Sequence, residues 1–451
     1  MVHITFYGGV AEIGGNKILV EDGRSRAFLD FGKSFGQEKL YFEEPFLSAR
    51  EIEHLKVLRL IPHIEGIYEG DKEDYRLDGV LVSHPHMDHY DAARTLKKEY
   101  PIYSSEIARM VILAREWASS FNCLGNFGQL NKILGRTSRE NMLTLSHGRE
   151  AKIGDMSASV FPVDHSIPGA VGTIVETSSG NIAYTGDIRF HGGAAEDTER
   201  FVEEAARHDP EILITEGTHI DDFKVESEEE VRAKIADTLS RSSGLAVAGF
   251  SFGDTRRLRT FLSAAKENGR KLVIPLKQAF ITRELHSVDP KSSIDIEDPD
   301  IGLFAREKKR LYEFEKCVLE DYPGKMLSKE DIREDQRSLL LLASLYDMND
   351  IAKIGPGVGS IYIHSSSEPF EEEMEISYQK LHNWLDYLGM PLVQIHASGH
   401  ANPFELKEMI RQISPKKVIP IHTKSPDLFR RLVSDLDVEV ILPVKGSPIE
   451  F

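Results

Sequence analysis

Cysteine is almost absent from this 451-residue chain: Cys123 and Cys317 are the only two, and neither has a CxxC neighbour. That excludes a disulfide framework and leads us to expect a reducing, cytoplasmic setting. No apolar run approaches the ~18 residues of a membrane span, so no membrane association is expected. The start, MVHITFYGG, enters directly into a strand pattern, without a basic leader or a signal-type apolar stretch. Positive charge is also scarce, with 55 Lys and Arg against 73 Asp and Glu and a net charge of −18. Such a chain is not a basic nucleic-acid-binding body as a whole, although an active cleft can be positive on an acidic protein. Internal repeats and low-complexity linkers are missing too. What remains is a globular composition, 41% apolar, in a chain long enough for two domains.

The first eighty residues alternate short apolar runs with Gly-rich corners, and Asp22-Gly23 is a strong hairpin signal. LDGVLVS, from Leu77 to Ser83, reads as a buried strand, followed by a helix near Ser104 to Ser119. ASVFPV, TIVETS and NIAYTGD read as further strands, a pattern of packed sheets with helices outside. The texture changes after Glu216. Ser227 and Glu230 form a capping-box signature for a helix running to about Arg241. GLAVAGF, TRRLRTFLSAAKEN and KLVIPL then read as a βαβ unit, which implies a parallel sheet. Residues 289–350 read as charged and helical, without identifiable chemistry. PLVQIHASGH, KKVIPIHT and VEVILPV return to the early style. The expectation is a strand-rich domain at 1–215 and 377–451, interrupted by an α/β domain at 216–376.

The sharpest chemical signal is HPHMDH, residues 84–89. After a strand ending at Ser83, His84 and His86 can project the same way, and Asp88 and His89 can turn toward a neighbouring point. Four imidazole and carboxylate donors in six residues suit zinc or manganese and are enough to share between two ions. A polar loop with capping residues would account for one histidine, not for this spacing.

This pattern resembles the metallo-β-lactamase-fold hydrolases. The resemblance implies Asp30 in FLDFG as a residue orienting the ligands, His165 in FPVDHS as a further ligand and Asp187 in YTGDIRF as a bridging ligand. It assigns one ion to His84, His86 and His165, and a second to Asp88, His89 and a late histidine. Two such ions can activate a water and stabilise charge on a phosphorane-like transition state. Zn²⁺ is the expected metal, with Mn²⁺ an alternative.

TEGTH, HASGHA and IPIHT carry the comparison further, because this layout resembles the β-CASP nucleases. The resemblance implies that Glu216 pairs with His400 near the scissile phosphate, that His400 serves the leaving oxygen, and that His422 completes the second metal site. YGGVAEIGGN, GFSFGDTRRLRTFLSAAKENGRKLVI and the HASGHA…PIHT pair are most similar to the RNase J family, over nearly the whole chain. The fold implied is an αββα sandwich with an inserted β-CASP α/β domain. The activity implied is 5′→3′ exonucleolysis of 5′-monophosphorylated RNA, with some endonuclease activity. The chain ends soon after ILPVKGSPIEF, as in compact archaeal relatives rather than the longer bacterial form; a homodimer is compatible with this. HYDAA after the first motif and HTKSP after the last depart from the family pattern without removing a ligand.

Ser398, Gly399 and His400 are candidates to receive a terminal phosphate, as is Ser251 at the start of a helix. Arg256, Arg257 and Arg259 either contact the RNA backbone or form a solvated face. Phe250 and Phe252 fit core packing better than base stacking. His3, His54, His63, His147, His191 and His364 lack partners at ligand spacing, whereas His219 and His396 adjoin the motifs. Competing readings are an RNA 3′-end-processing endonuclease, a DNA nuclease, a small-ester hydrolase and an inactive scaffold. Filled ligand positions speak against the last of these, and the inserted domain against the small-ester enzyme.

Overall fold

The computed structural model describes residues 1–43, 47–118, 142–223, 226–366 and 372–451; Cys123 and the expected helix end at Ser119 lie outside them. The chain forms two compact units. The first comprises Met1–Phe190, Ala194–Lys224 and Gly399–Phe451, and the second His191–Gly193 and Val225–Ser398.

The first unit is built on two seven-stranded sheets. One orders its strands Pro448–Glu450, Val2–Gly8, Lys17–Asp22, Ser25–Phe31, Gly79–Leu81, Ile102–Ser104 and Met142–Thr144. The other runs Glu439–Val440, Lys417–Ile421, Ile212–Glu216, Gly180–Tyr184, Val171–Thr177, Met156–Pro162 and Ala151–Ile153. Period-two alternation divides their side chains between two faces. Ile18, Val20 and Leu29 of one sheet join Ile182, Ile214 and Ile419 of the other in the core between the sheets. The intervening residues point outward: Leu19, Phe28 and Val80 into one outer core, and Ala183, Leu213 and Val418 into another. Phe201 and Val202 of the helix Ala195–Arg207 and Leu406, Met409 and Ile410 of the helix Pro403–Ile413 cover the latter. The result is an αββα sandwich. The expected hairpin is present one residue later than read: Asp22 pairs with Ser25, and Gly23, with φ +60°, opens the turn.

The second unit holds a six-stranded sheet ordered Ile301–Phe304, Lys271–Pro275, Leu339–Leu342, Ala246–Gly249, Ile361–His364 and Leu392–Gln394. Every pairing in it is parallel. The Ser227 capping box opens the helix Glu228–Arg241 as read from the sequence. Two features differ. The stretch read as wholly helical contributes the strands Ile301–Phe304 and Leu339–Leu342, whose residues are buried throughout. Short continuous apolar runs of this kind have no periodicity to mark them as strands. The run PLVQ pairs with Ile361–His364, so residues 377–398 belong to this unit, and the chain returns to the sandwich only at Gly399. No helix among the described residues is long and apolar enough to cross a membrane.

Candidate active site

Metal-type side chains gather where strands of the first unit end. Asp30 is the extra residue of a β-bulge: Lys17 pairs with Phe31 and Ile18 with Leu29, leaving Asp30 unpaired at φ +57°. A bulge re-aims a side chain, and Asp tolerates this left-handed conformation better than most residues. The buried Asp30 carboxylate accepts the Ser83 amide and hydroxyl, each at 2.7 Å, the Tyr184 hydroxyl at 2.6 Å and His89 Nδ1–H at 2.7 Å. With Nδ1 committed, His89 turns its Nε2 toward Asp187 Oδ2, 3.2 Å away. The Ser83 hydroxyl also lies 3.0 Å from His84 Nδ1, which directs His84 Nε2 inward.

The other histidines are fixed in the same manner. His165 Nδ1 donates to the Gly399 carbonyl. His422, at φ +52°, has its amide bonded to the Gly9 carbonyl at 2.7 Å and its Nδ1 at 2.8 Å from the Thr218 hydroxyl. That hydroxyl donates to the His422 carbonyl. The Nε2 atoms of His84 and His165 each lie 3.0 Å from His86 Nδ1, and His422 Nε2 is 3.3 Å from Asp88 Oδ2. His89 Nε2 and Asp187 Oδ1 are buried with no hydrogen-bond partner among the described residues.

Three overlapping groups of converging donors result: His84, His86, His165 and Asp187; Asp187, Glu216, His400 and His422; and Asp88, His89 and His422. Nitrogens facing nitrogens, with orphaned buried atoms between them, are the arrangement a cation relieves, so these residues fit divalent metal ions. Burial holds the His84 and His165 imidazoles well below their usual range and pushes His86 down to about 3, keeping all three neutral as ligands must be. Burial alone would raise the Asp88 carboxyl, but His89 and His422 hold it well down.

Glu216 ends the strand Ile212–Glu216, fully buried. Its Oε1 accepts the Ile188 amide at 2.9 Å and its Oε2 accepts His400 Nδ1–H at 2.8 Å. His400 Nδ1 is 3.9 Å from Asp187, and the His219 ring centroid is 5.7 Å from that of His400. Burial opposes protonation of His400, but the Glu216 charge and hydrogen bond lift it to about 9.

Ser398 is half-buried, and its carbonyl accepts from His191 Nε2 at 3.0 Å. Ser251 is exposed, but the following helix begins only at Thr255, and the Asp254 carboxylate already caps it, so that helix end does not offer Ser251 an open anion site. Arg257 belongs to neither expected role: it is fully buried, bonded to Glu228 at 2.7 Å, to the Ser365 hydroxyl at 2.6 Å and to the Ala397 carbonyl. His396 Nδ1 is 3.4 Å from it. Arg259 is exposed and donates to the Ser293 carbonyl. Phe250 packs on Phe261, as its core reading implied. Ser83, Tyr184 and Thr218, which orient the ligands, went unread; their signal is a hydroxyl at a strand end beside a ligand motif.

The metal loop is also clamped from behind. The Asn16 amide donates to the Asp88 carbonyl and the Lys33 amide to the Met87 carbonyl. A Cβ on Gly32 would meet the Asp88 carbonyl oxygen at 1.5 Å, so only glycine lets the two segments approach.

An αββα sandwich with imidazole and carboxylate donors at its strand ends defines a hydrolase of the metallo-β-lactamase superfamily. Residues 69–241 match the Beta-lactamase superfamily domain, and residues 390–443 the Zn-dependent metallo-hydrolase RNA specificity domain. Ribonuclease J 2 of Streptococcus pyogenes is 24% identical over 93% of this chain and 69% of its own length. Ribonuclease J of Mycoplasma genitalium is 24% identical over 92% and 67%. A crystal structure of a protein of unknown function from Enterococcus faecalis V583 shares the fold, with a TM-score of 0.78, 24% identity and 99% coverage of both chains. The chain is thus similar to ribonuclease J proteins over most of its length and carries a metallo-β-lactamase-type domain with an RNA specificity domain after it, which supports the RNase J reading.

Gly32→Ala should cost about 1–3 kcal/mol of stability through overpacking, seen as a lower Tm, while Gly193→Ala, where a Cβ meets nothing within 4 Å, should be neutral. For His400, an NMR titration of the metal-free protein should show the imidazolium persisting to about pH 9. Its raised pKa contributes stability that is complete below the unfolded value near 6.5 and lost as pH rises through about 9. Glu216→Gln should move the titration downward.

Proposed function

We propose that this chain is a metal-dependent ribonuclease that shortens 5′-monophosphorylated RNA from the 5′ end and also makes some internal cuts. His84, His86 and His165 would hold one ion, Asp88, His89 and His422 a second, and Asp187 would bridge them. The imidazole-rich donor set favours Zn²⁺, with Mn²⁺ compatible. Bound there, the ions would supply a water activated at neutral pH and would neutralise charge on the phosphate. They would also set a local positive charge against the −18 of the whole chain.

The observation that carries this reading is the Glu216–His400 pair, 2.8 Å apart and beside Asp187. Small-ester hydrolysis needs the ligand set but no such pair. Glu216 fixes the His400 tautomer and sustains its proton. As water attacks phosphorus and the P–O bond to the leaving oxygen breaks, His400 gives its Nε2 proton to that oxygen. The shortened RNA again ends in a 5′-phosphate, which the Ser398–Gly399–His400 run would receive for the next step. The same reading has the chain work in the cytoplasm, and it accommodates a homodimer.

The test uses one RNA, labelled at its 3′ end, with a 5′-hydroxyl, 5′-monophosphate or 5′-triphosphate, alongside a matching DNA, in Zn²⁺ or Mn²⁺. Progressive shortening, fastest on the monophosphate, is expected. His400→Ala should keep its metal and lose turnover by roughly 10²–10⁴-fold. Discrete internal cuts regardless of the 5′ end would make the chain an endonuclease, and no cleavage of RNA would overturn the reading.

A further inference from the structure

In the first unit, residues 216–223 follow the strand Ile212–Glu216, and residues 400–404 lead into the helix Pro403–Ile413. At their inner end Glu216 meets His400 at 2.8 Å. The His219 ring follows, 5.7 Å from that of His400. At the outer end Phe223 and Phe404 face each other, with centroids 5.2 Å apart and planes tilted by 51°. They are 59% and 67% exposed. Isolated exposed apolar residues need no explanation, but two phenyl rings in contact with each other, seven residues after Glu216 and four after His400 in the chain, are a different matter.

Among the described residues, neither ring belongs to a hydrophobic core cluster of the first unit. The helix Pro403–Ile413 buries Leu406, Met409, Ile410 and Ile413, and Phe404 is off that face. Only its backbone is used, the amide donating to the Asn402 side chain at 2.9 Å. Asp221 and Asp222 precede Phe223 and are exposed. The rings offer no donor or acceptor to read a base edge. What they can take is the flat, uncharged face of a base.

We propose that Phe223 and Phe404 form a stacking platform for an unpaired nucleobase of the substrate, next to the scissile phosphate. This rests on the ribonuclease reading above. The platform tolerates any base, because each has a π-face, and it disfavours duplex, in which those faces are already stacked.

The test is steady-state cleavage of single-stranded 5′-monophosphorylated RNA by the metal-loaded protein, with a set of substrates carrying one abasic nucleotide at successive positions. Phe223→Ala and Phe404→Ala should each raise KM roughly 5- to 100-fold, leave kcat within about twofold and lessen the preference for single strands. Phe404→Trp should restore KM. One abasic position should raise the wild-type KM to a similar extent and add nothing further in Phe404→Ala. Unchanged KM in both alanine variants, or full additivity with every abasic position, would overturn the platform. So would a change of oligomeric state confined to these variants, since the rings would then be covering another copy of the chain. A wild-type protein that cleaves no RNA would instead overturn the ribonuclease reading itself.

Discussion

Everything around the site is arranged to keep one carboxylate in place. Asp187 is 3% exposed, and five imidazoles surround its Oδ2: His89 at 3.2 Å, His84 and His422 at 3.6 Å, His165 and His400 at 3.9 Å. Burial alone would push this carboxyl up, but His422, His89 and His84 hold it well below the usual range. A buried charge is tolerated only with compensation of this kind. Four of these imidazoles have their other nitrogen tied to Asp30, Ser83, Thr218 or the Gly399 carbonyl, while His400 turns the same Nδ1 to Glu216. The sandwich supplies the rigidity, and its strand ends supply the side chains.

Backbone strain is spent where it aims those side chains. Asp30 and His422 adopt left-handed conformations that cost of order 1–3 kcal/mol each and persist because their neighbours over-determine them. Asp30 is held by four hydrogen bonds, and His422 by the Gly9 carbonyl and Thr218. In the second unit, Arg257 does comparable work away from the metal ligands. Its guanidinium ties Glu228 and Ser365 to the Ala397 carbonyl, three residues before His400 in the chain.

Much of the site was legible because its chemistry is concentrated in short motifs. HPHMDH places four donors in six residues, and the order of His165, Asp187, Glu216, His400 and His422 along the chain completes the pattern. Of the residues that orient these side chains, Asp30 was legible but Ser83, Tyr184 and Thr218 were not, since Tyr184 is 154 positions from the Asp30 it bonds and a hydroxyl at a strand end is unremarkable in sequence. Arg257 was read as a surface cation because a helical pattern does not distinguish a buried guanidinium from a solvated one. In the fold, the sandwich strands announced themselves by alternation. IGLF and LLLL, buried on both faces of a parallel sheet, had no alternation to show, and PLVQ gave no sign of which sheet it would join.

The claim on which this account rests is that seven side chains hold two metal ions around Asp187. Anomalous diffraction from zinc-loaded crystals tests it most directly. Two peaks per chain are expected, one among His84, His86 and His165, the other among Asp88, His89 and His422, with Asp187 common to both. A single peak, or zinc only at surface residues, would contradict it.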